Sequence, residues 1–313
     1  MPIQVSEKTL SNEGGYCIAV DLCPGWHMIA DDAEMPLLQQ MARIMQLNPS
    51  GPNRYPKLLL TRNAPGKETC HYLISASYPP ITEDLPINGW ESRNFNLFLL
   101  WSHPEVPDII CQVLPTRDNS CNSITMGLAL YPVFRKMLSA RGFPIHAGLI
   151  EQNGRGVLLA GPGGTGKSTC CRRVPRPWQH WCDDEVLIVA DISNDYNAHP
   201  LPTWSDYYFN RPDQQTWETR KGVSLAGLFF LEQADQDRVI ALGQGQAAVF
   251  ISRSVLEIFN RSLFFVPDRE KKEIKQKVFE CACELARSVP AYRLCFTRTG
   301  RFWEKVEDAL GWK

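Results

Sequence analysis

Apolar and polar residues alternate along GYCIAVDL (15–22), which predicts a half-buried strand. In MPLLQQMARIMQL (35–47) the apolar positions recur every three to four residues, the spacing of a helix. Short apolar runs predict further strands at KLLLT (57–61), HYLISASY (71–78), NLFLLW (96–101) and IICQVLP (109–115), and the Pro- and Asn-rich 48–56 reads as a loop. A helical pattern over 124–141 is expected to kink at Pro132 and to stop at Gly142. Beyond it, HAGLIEQNGRGVLLAGPGG reads as two strands joined at Asn153-Gly154, a favoured dipeptide of two-residue hairpin turns. With Gln152 opposite Arg155, that register runs back to His146 opposite Gly161. The run 225–233, LAGLFFLEQ, predicts another strand, and 297–310 predicts a strand end, a turn at Gly300 and an amphipathic helix docked by Phe302 and Trp303.

These elements make the chain α/β, and 313 residues suffice for two domains. We expect an N-terminal α/β domain over 1–122, with acceptor recognition as its candidate task, and a C-terminal domain over 123–313. Thirty-three Lys and Arg against 34 Asp and Glu leave a net charge of −1, which provides no general attraction to nucleic acid or to an anionic membrane. The N-terminal residues lack a basic start followed by an apolar run, and no apolar stretch nears the ~20 residues of a bilayer span, so no membrane partner is expected. Eleven cysteines without a CxxC pair or zinc spacing read as reduced thiols of a cytoplasmic protein.

Gly161-Pro-Gly-Gly-Thr-Gly-Lys-Ser fits G-x-x-x-x-G-K-[ST] in full, between a predicted strand and a helix-compatible STCCRRV. Gly161, Gly163, Gly164 and Gly166 allow successive N–H groups to converge on an anion, with Thr165 and Thr169 completing the loop. Lys167 is placed to reach β- and γ-phosphates and Ser168 to bind Mg²⁺, so a nucleoside triphosphate such as ATP is the expected ligand. The following helix must be short, because Pro175 and Pro177 cannot continue it.

Two acidic groups compete for the chemistry. WCDDEVLIVAD (181–191) reads as a strand that begins with its acids, sixteen residues after Lys167. If that strand neighbours the loop strand, Asp183 and Asp184 approach the phosphates. Adjacent strand residues point to opposite faces, so one would serve as a base and the other as a metal ligand or its support. The rival is Glu232, closing an apolar strand as the acid of an ordinary P-loop ATPase does.

His146 before the hairpin, GPGGTGKST (161–169) and DDEV (183–186) together resemble the HPr kinase/phosphorylase family over roughly 143–265. The resemblance implies a P-loop domain with a mixed sheet similar to phosphoenolpyruvate carboxykinase. It also implies Asp183 as catalytic base, Asp184 as a metal-associated acid, and His146 at the edge of a site that includes Lys167 and Ser168. In that family ATP and Mg²⁺ serve transfer of the γ-phosphoryl group to a serine hydroxyl, and homo-oligomers are common. The family's E-[IV]-R-G-[LI]-G signature is missing from 220–233, so neither HPr as acceptor nor the reverse reaction carries over. GKSTCCRRVPRPW (166–178), DDEVLIV (183–189), HPLPTWSDY (199–207), LFFLEQ (228–233) and TGRFWEKVEDALG (299–311) resemble more closely the HPr-kinase-like ScmC family of SynChlorMet cassettes. Such cassettes resemble peptide-modification gene sets with radical-SAM enzymes, implying a peptide or protein acceptor and maturation enzymes as partners.

Other residues fit duller roles. The aromatic segment 199–210 is expected to be a loop, clamping a ligand or packed over the core. Arg172, Arg173 and Arg176 are helix-end cations or anion contacts, Arg298 and Arg301 are minor candidates for ligand contact, and Arg253, on a later helix, could reach the phosphates without local support for it. Three functions stand as expectations: a kinase acting on a hydroxyl, a nucleotide-gated peptide-binding protein without phosphotransfer, and an ATPase using Glu232.

Overall fold

The computed structural model describes residues 14–20, 25–51, 55–64, 89–115, 122–193, 195–209 and 215–312. The first strands are β1 (Gly15–Ile18) and β2 (Trp26–Ala30), followed by helix α1 (Met35–Ile44). Then come β3 (Pro49–Ser50), β4 (Lys57–Thr61), β5 (Glu91–Asn94), β6 (Phe98–Ser102) and β7 (Ile109–Val113). The strand expected at 71–78 lies outside the described residues. The single helix expected over 124–141 is two, α2 (Asn122–Ala129) and α3 (Tyr131–Leu138), because Pro132 carries no N–H to continue the ladder across Leu130. Gly142 does not cap it. Arg141 takes the left-handed turn at φ 57°, and Gly142 opens β8 (Gly142–Gln152).

After β9 (Arg155–Ala160) and α4 (Lys167–Arg173), the strand expected at 181–191 is split into β10 (Gln179–Cys182) and β11 (Glu185–Ala190) by a bend at Asp183 and Asp184. The expected loop at 199–210 is instead the end of β12 (Tyr196–Leu201) and the short helix α5 (Trp204–Tyr208), with Trp204 and Tyr207 buried. Next are β13 (Val223–Gln233), β14 (Arg238–Ala241), α6 (Gln244–Leu263), α7 (Asp268–Ser288), β15 (Ala291–Phe296) and α8 (Phe302–Leu310).

The fold is mixed α/β with two mixed sheets, and the chain separates into two compact units. Unit 1 holds Met1–Ala19, Pro24–Val133 and Trp204–Thr216; unit 2 holds Val20–Cys23, Phe134–Thr203 and Trp217–Lys313. The main division thus falls within α3 rather than at 122, and the segment around α5 belongs with unit 1.

Unit 1 is built on a sheet of order β3-β1-β2-β4-β7-β6-β5, in which β2, β4 and β7 run parallel. Every residue of β2 and β4 is buried, as central strands covered on both faces require. This explains why WHMIA shows no alternation to read in the sequence. Helix α1 contributes Leu37, Leu38, Met41, Ala42 and Ile44 as its buried face.

In unit 2 the β8–β9 hairpin turns at Asn153 and Gly154, both at positive φ (54° and 76°), the geometry of a type I′ turn. Its register runs from Gln152↔Arg155 to Ala147↔Ala160, as expected, but ends one pair short of His146 and Gly161. Gly161 leaves the strand to begin the loop, and His146 pairs instead with Glu185 of β11.

Strand β8 therefore carries β9 on one edge and β10 with β11 on the other. The acid-bearing strand is not a neighbour of β9; β8 lies between them. The partners of β9 are β8 and, in parallel, β13. Pairing of β11 with β12 and of β12 with β13 closes the circuit β8–β9–β13–β12–β11, so both ends of the bend are tied to a continuous ladder. Between β9, β13, β15 and helices α4 and α8 lies a core that includes Leu159, Cys170, Phe229, Phe296, Phe302 and Val306. Phe302 is fully buried, which is worth about 1.5–3 kcal/mol and docks α8 as its spacing predicts.

Candidate functional site

The glycine-rich loop leaves β9 at Ala160 and enters α4 at Lys167. Gly164 (φ 82°) and Gly166 (φ 104°) hold backbone conformations that a side chain would strain. An added Cβ at Gly163 or Gly164 would meet no atom within 4 Å, so that face of the loop is open. Thr165 Oγ1 donates to Pro162 O at 2.7 Å, and Lys167 Nζ donates to Gly161 O at 2.7 Å and Pro162 O at 3.2 Å. Lys167 is buried, which lowers its pKa against the opposing pull of Asp184, Glu257 and Asp183. Ser168 is half-buried in the first turn of α4 and Thr169 is exposed. The helix lasts seven residues because Val174, preceding Pro175, is extended (ψ 130°).

The helix that follows the loop and the acid-bearing bend meet across Gly148. A Cβ there would lie 2.3 Å from Cys171 Sγ on α4, 3.4 Å from Cys182 O and 3.5 Å from the Cα of Asp183. Only glycine lets helix, strand and bend approach so closely. At the bend, Asp184 O accepts from Ala147 N–H at 3.1 Å, keeping the ladder while the side chains are re-aimed.

Each acid of the Asp183-Asp184-Glu185 run has its own basic partner. Asp183 Oδ2 accepts from Arg172 Nη2 at 3.3 Å and its Oδ1 from Thr203 Oγ1 at 3.2 Å. Asp184 Oδ1 lies 3.3 Å from His146 Nε2, and the other ring nitrogen of His146, Nδ1, bonds Glu257 Oε2. Glu185 Oε1 accepts from Arg261 Nη1 at 2.6 Å. Glu257 and Arg261 stand one turn apart on α6, which packs along β8.

The electrostatics separate the three acids. Burial alone would raise Asp184, but the hydrogen bond and charge of His146, with Arg261 and Lys167, outweigh it and hold the carboxyl below its ordinary range. Burial pushes Glu185 up to about 7, with Asp184 adding to the rise and Arg261 opposing it. Burial would lower His146, yet its bonds to Asp184 and Glu257 raise it above the ordinary histidine value. Asp184 is thus a carboxylate supported by an imidazole, and Glu185 is the buried member of the run.

Of the residues expected from the sequence, Lys167, Asp183, Asp184 and His146 come together. Glu232 does not join them. It is half exposed and pairs with Arg293 at 3.2 Å. Arg172 joins through Asp183, whereas Arg173 is structural, donating to Thr297 O at 3.3 Å and to Gly300 O. Arg301 pairs with Glu304 at 2.8 Å, and Arg176, Arg253 and Arg298 are exposed.

Glu257, Arg261 and Thr203 are the members that sequence reasoning missed. A glutamate and an arginine four apart on a helix read as a solvated pair, and only the burial of the surrounding face distinguishes them. Among the described residues no three His, Cys, Asp or Glu side chains are grouped to hold a metal on their own. Nor is any helix there long and apolar enough to cross a membrane.

A search of curated proteins finds no match to the chain. The family model described as "ScmC: SynChlorMet cassette protein ScmC" matches residues 109–311, more than half of the chain and nearly all of unit 2. The match spans the loop, the bend and the α6 residues that face them, and on that extent the chain belongs to the ScmC family.

Proposed function

We propose that the chain is an ATP- and Mg²⁺-dependent kinase of the HPr-kinase-like type, transferring the γ-phosphoryl group to a serine or threonine hydroxyl of a peptide or protein. The observation that carries the reading is the bend at Asp183 and Asp184. It gives two consecutive carboxylates separate partners and sets both among the charges that act on the buried Lys167. An acceptor hydroxyl must lose a proton as it attacks, while the triphosphate needs cationic charge, so adjacent acids with different duties suit this chemistry.

The residues present fit Mg²⁺. Ser168 and Asp184 would hold it as hard oxygen donors, and Asp184 is kept ionised by His146, Arg261 and Lys167. A site with few protein ligands suits an ion that keeps its waters and phosphate oxygens. When bound, Mg²⁺ supplies neutralisation of the phosphate charge. The loop N–H groups and Lys167 bind the phosphates and orient the γ-phosphorus, and Asp183 accepts the hydroxyl proton. The acceptor oxygen forms its bond to phosphorus as the bond to the ADP oxygen breaks, giving the phosphoester and ADP. His146, fixed by Glu257, orients Asp184.

The eight described cysteines are free, which suits the reducing cytoplasm expected for such an enzyme. A peptide maturation intermediate, with radical-SAM enzymes as partners and a homo-oligomeric assembly, follows from the family resemblance.

Incubation with labelled ATP, Mg²⁺ and candidate acceptors tests the reading. Intact mass should show one added phosphate with the native chain and none with Asp183→Asn. Equal transfer by both would remove Asp183 from the mechanism, and ATP binding with no transfer to any acceptor would favour a nucleotide-gated binding protein.

One observation favours the ATPase alternative: β13 lies parallel beside the loop strand, Phe230 opposite Ala160, and carries Glu232 one residue before its end. That reading requires Glu232→Gln to abolish hydrolysis while Asp183→Asn spares it.

A further inference from the structure

The bulged strand made by β10 and β11 is covered unequally. On one edge β8 pairs along its length, from Gln179↔Glu151 to Val189↔Gly142. On the other, β12 pairs with β11 only, from Ala190↔Tyr196 to Glu185↔Leu201. Past Leu201 the ladder stops: Thr203 donates to Asp183 at 3.2 Å, and α5 begins at Trp204. Among the described residues no strand pairs with the outer edge of β10, which ends the order of its sheet.

The main-chain groups of that edge follow from the register. Ala147 N–H donates to Asp184 O, so alternation along β8 makes Leu149 and Glu151 the residues whose main chain faces β10. Their partners Cys182 and Gln179 point inward, and the N–H and C=O of His180 between them point outward. Nearby side chains give the edge a chemical character. Trp181 is half-buried with Lys221 Nζ 5.4 Å from its ring centroid, Arg176 is exposed just before the strand, and His180 Nε2 is buried without a hydrogen-bond partner.

We propose that the outer edge of β10 docks the acceptor, an extended peptide segment that adds as a strand where β12 leaves off and presents its serine or threonine hydroxyl to Asp183. Four residues of strand span about 13 Å, enough to fix the register of a short segment. Main-chain pairing supplies affinity in this mode, and side-chain contacts supply selectivity. Arg176 and Lys221 select acidic residues beside the hydroxyl, and Trp181 offers a ring against which one side chain packs. The position of the hydroxyl rests on the kinase reading; the docking edge does not.

The test uses the full-length chain with Mg²⁺, a non-hydrolysable ATP analogue and a Ser-centred peptide library with degenerate flanks. Retained peptides are remade with one N-methyl group at each position in turn, and binding is followed by fluorescence anisotropy. Retained sequences should be enriched in Asp and Glu. Methylation should weaken binding about tenfold at every second residue, the loss of one hydrogen bond, and little in between. Trp181→Ala and Arg176→Glu should each weaken peptide binding several-fold while analogue binding stays unchanged. Retention of no peptide, or methylation effects without a two-residue period, overturns the docking edge. The chemistry is read separately by replacing the analogue with ATP. Periodic binding without a gain of phosphate leaves the edge standing and removes the kinase reading. Phosphate gain without the period does the reverse.

Discussion

Two acidic clusters, one in each unit, use the same residue types to opposite ends. In unit 1 Asp31 follows β2, and its Oδ1 accepts from Glu34 N–H at 3.0 Å. Its Oδ2 accepts from Thr61 Oγ1 at 2.7 Å and from Arg62 N–H at 3.3 Å. Glu34 is closed off by Arg62, whose Nε lies at 2.7 Å. Every bond comes from the strand ends and the turn that the cluster joins, and the four residues hold β2, β4 and the entry to α1 together. The acids of unit 2 are spread over a bend instead, each with a different cation, and one of those cations, Arg172, is itself 65% exposed. Saturation by neighbouring main-chain and side-chain groups marks a structural knot. Separate partners beside an open glycine loop mark a site that can exchange them for a ligand.

The comparison breaks most sharply on rate. Asp183→Asn keeps the shape of the side chain and an acceptor for Thr203, so melting should move little while phosphotransfer falls about 10²–10⁴-fold, the usual worth of a general base. Steady-state transfer to an acceptor peptide with a free hydroxyl, beside a thermal melt, reads both at once. Asp31→Ala should do the converse. Asp31 is buried, and its loss removes three hydrogen bonds, leaving Glu34 N–H only Asp31 O at 3.1 Å and the Thr61 hydroxyl only Asn63 O at 3.4 Å, which costs about 1–3 kcal/mol. Denaturant melts should show that loss, and transfer per folded molecule should be unchanged. If both substitutions acted alike, the contrast between the clusters would collapse.

What the sequence made legible in these two regions was local. Asn153-Gly154 prescribed a type I′ turn, and the turn prescribed the hairpin register to within one pair. The glycines and Lys167 prescribed the loop. The run of two acids inside a strand-like stretch carried a signal that alternation concealed: charges at 183 and 184 sit where a continuous buried strand has no room for them, and the chain bends there. Between 234 and 296 only a helical-looking segment around Cys281 and Cys283 and a helix carrying Arg253 were expected, without bounds, and α6 and α7 fill most of that range. In α7 the spacing of Ile274, Val278, Cys281 and Leu285 is helical and was there to be read beneath a heavy load of charge. The pairing of Glu257 with His146 could not be read, because it depends on a long-range packing of α6 against β8. Strand order is equally non-local. The acid-bearing strand was expected beside the loop strand, and β8 stands between them.

A finer test of the unit 2 cluster concerns His146. Its bonds to Asp184 and Glu257 raise its pKa in the fold, so the stabilisation from the protonated ring is fully present below about 6.5 and is lost as pH rises through the raised value. Glu257→Gln should move the His146 midpoint down, as followed by histidine NMR. The stability difference between native chain and variant should be largest below pH 6.5 and shrink above the native midpoint. Because His146 orients Asp184 rather than touching the acceptor, the Mg²⁺ concentration for half-maximal transfer should rise about three- to tenfold, with KM for the acceptor unchanged. A uniform loss of stability at every pH, with no change in Mg²⁺ dependence, would reduce Glu257 to packing.

The smallest expected effect belongs to Glu232, the acid one residue from the end of the strand beside the loop. Consecutive strand residues point to opposite faces. Gln233 reaches the loop, its Nε2 lying 3.4 Å from Gly164 O and from Thr165 O. Glu232 therefore points away from the loop, and on that side it meets Arg293 at 3.2 Å. An exposed pair of this kind contributes about 0–1 kcal/mol, and a carboxylate on that face has no path to the phosphates. Glu232→Gln should then change phosphotransfer and ATP turnover by less than about twofold, within the range of a surface substitution. A loss of turnover on the scale expected for Asp183→Asn would mean that β13 rotates to bring Glu232 to the loop when nucleotide binds. The acid that matters would then be the one that completes a parallel neighbour of β9, and the bend at Asp183 and Asp184 would be a second structural knot like the one at Asp31.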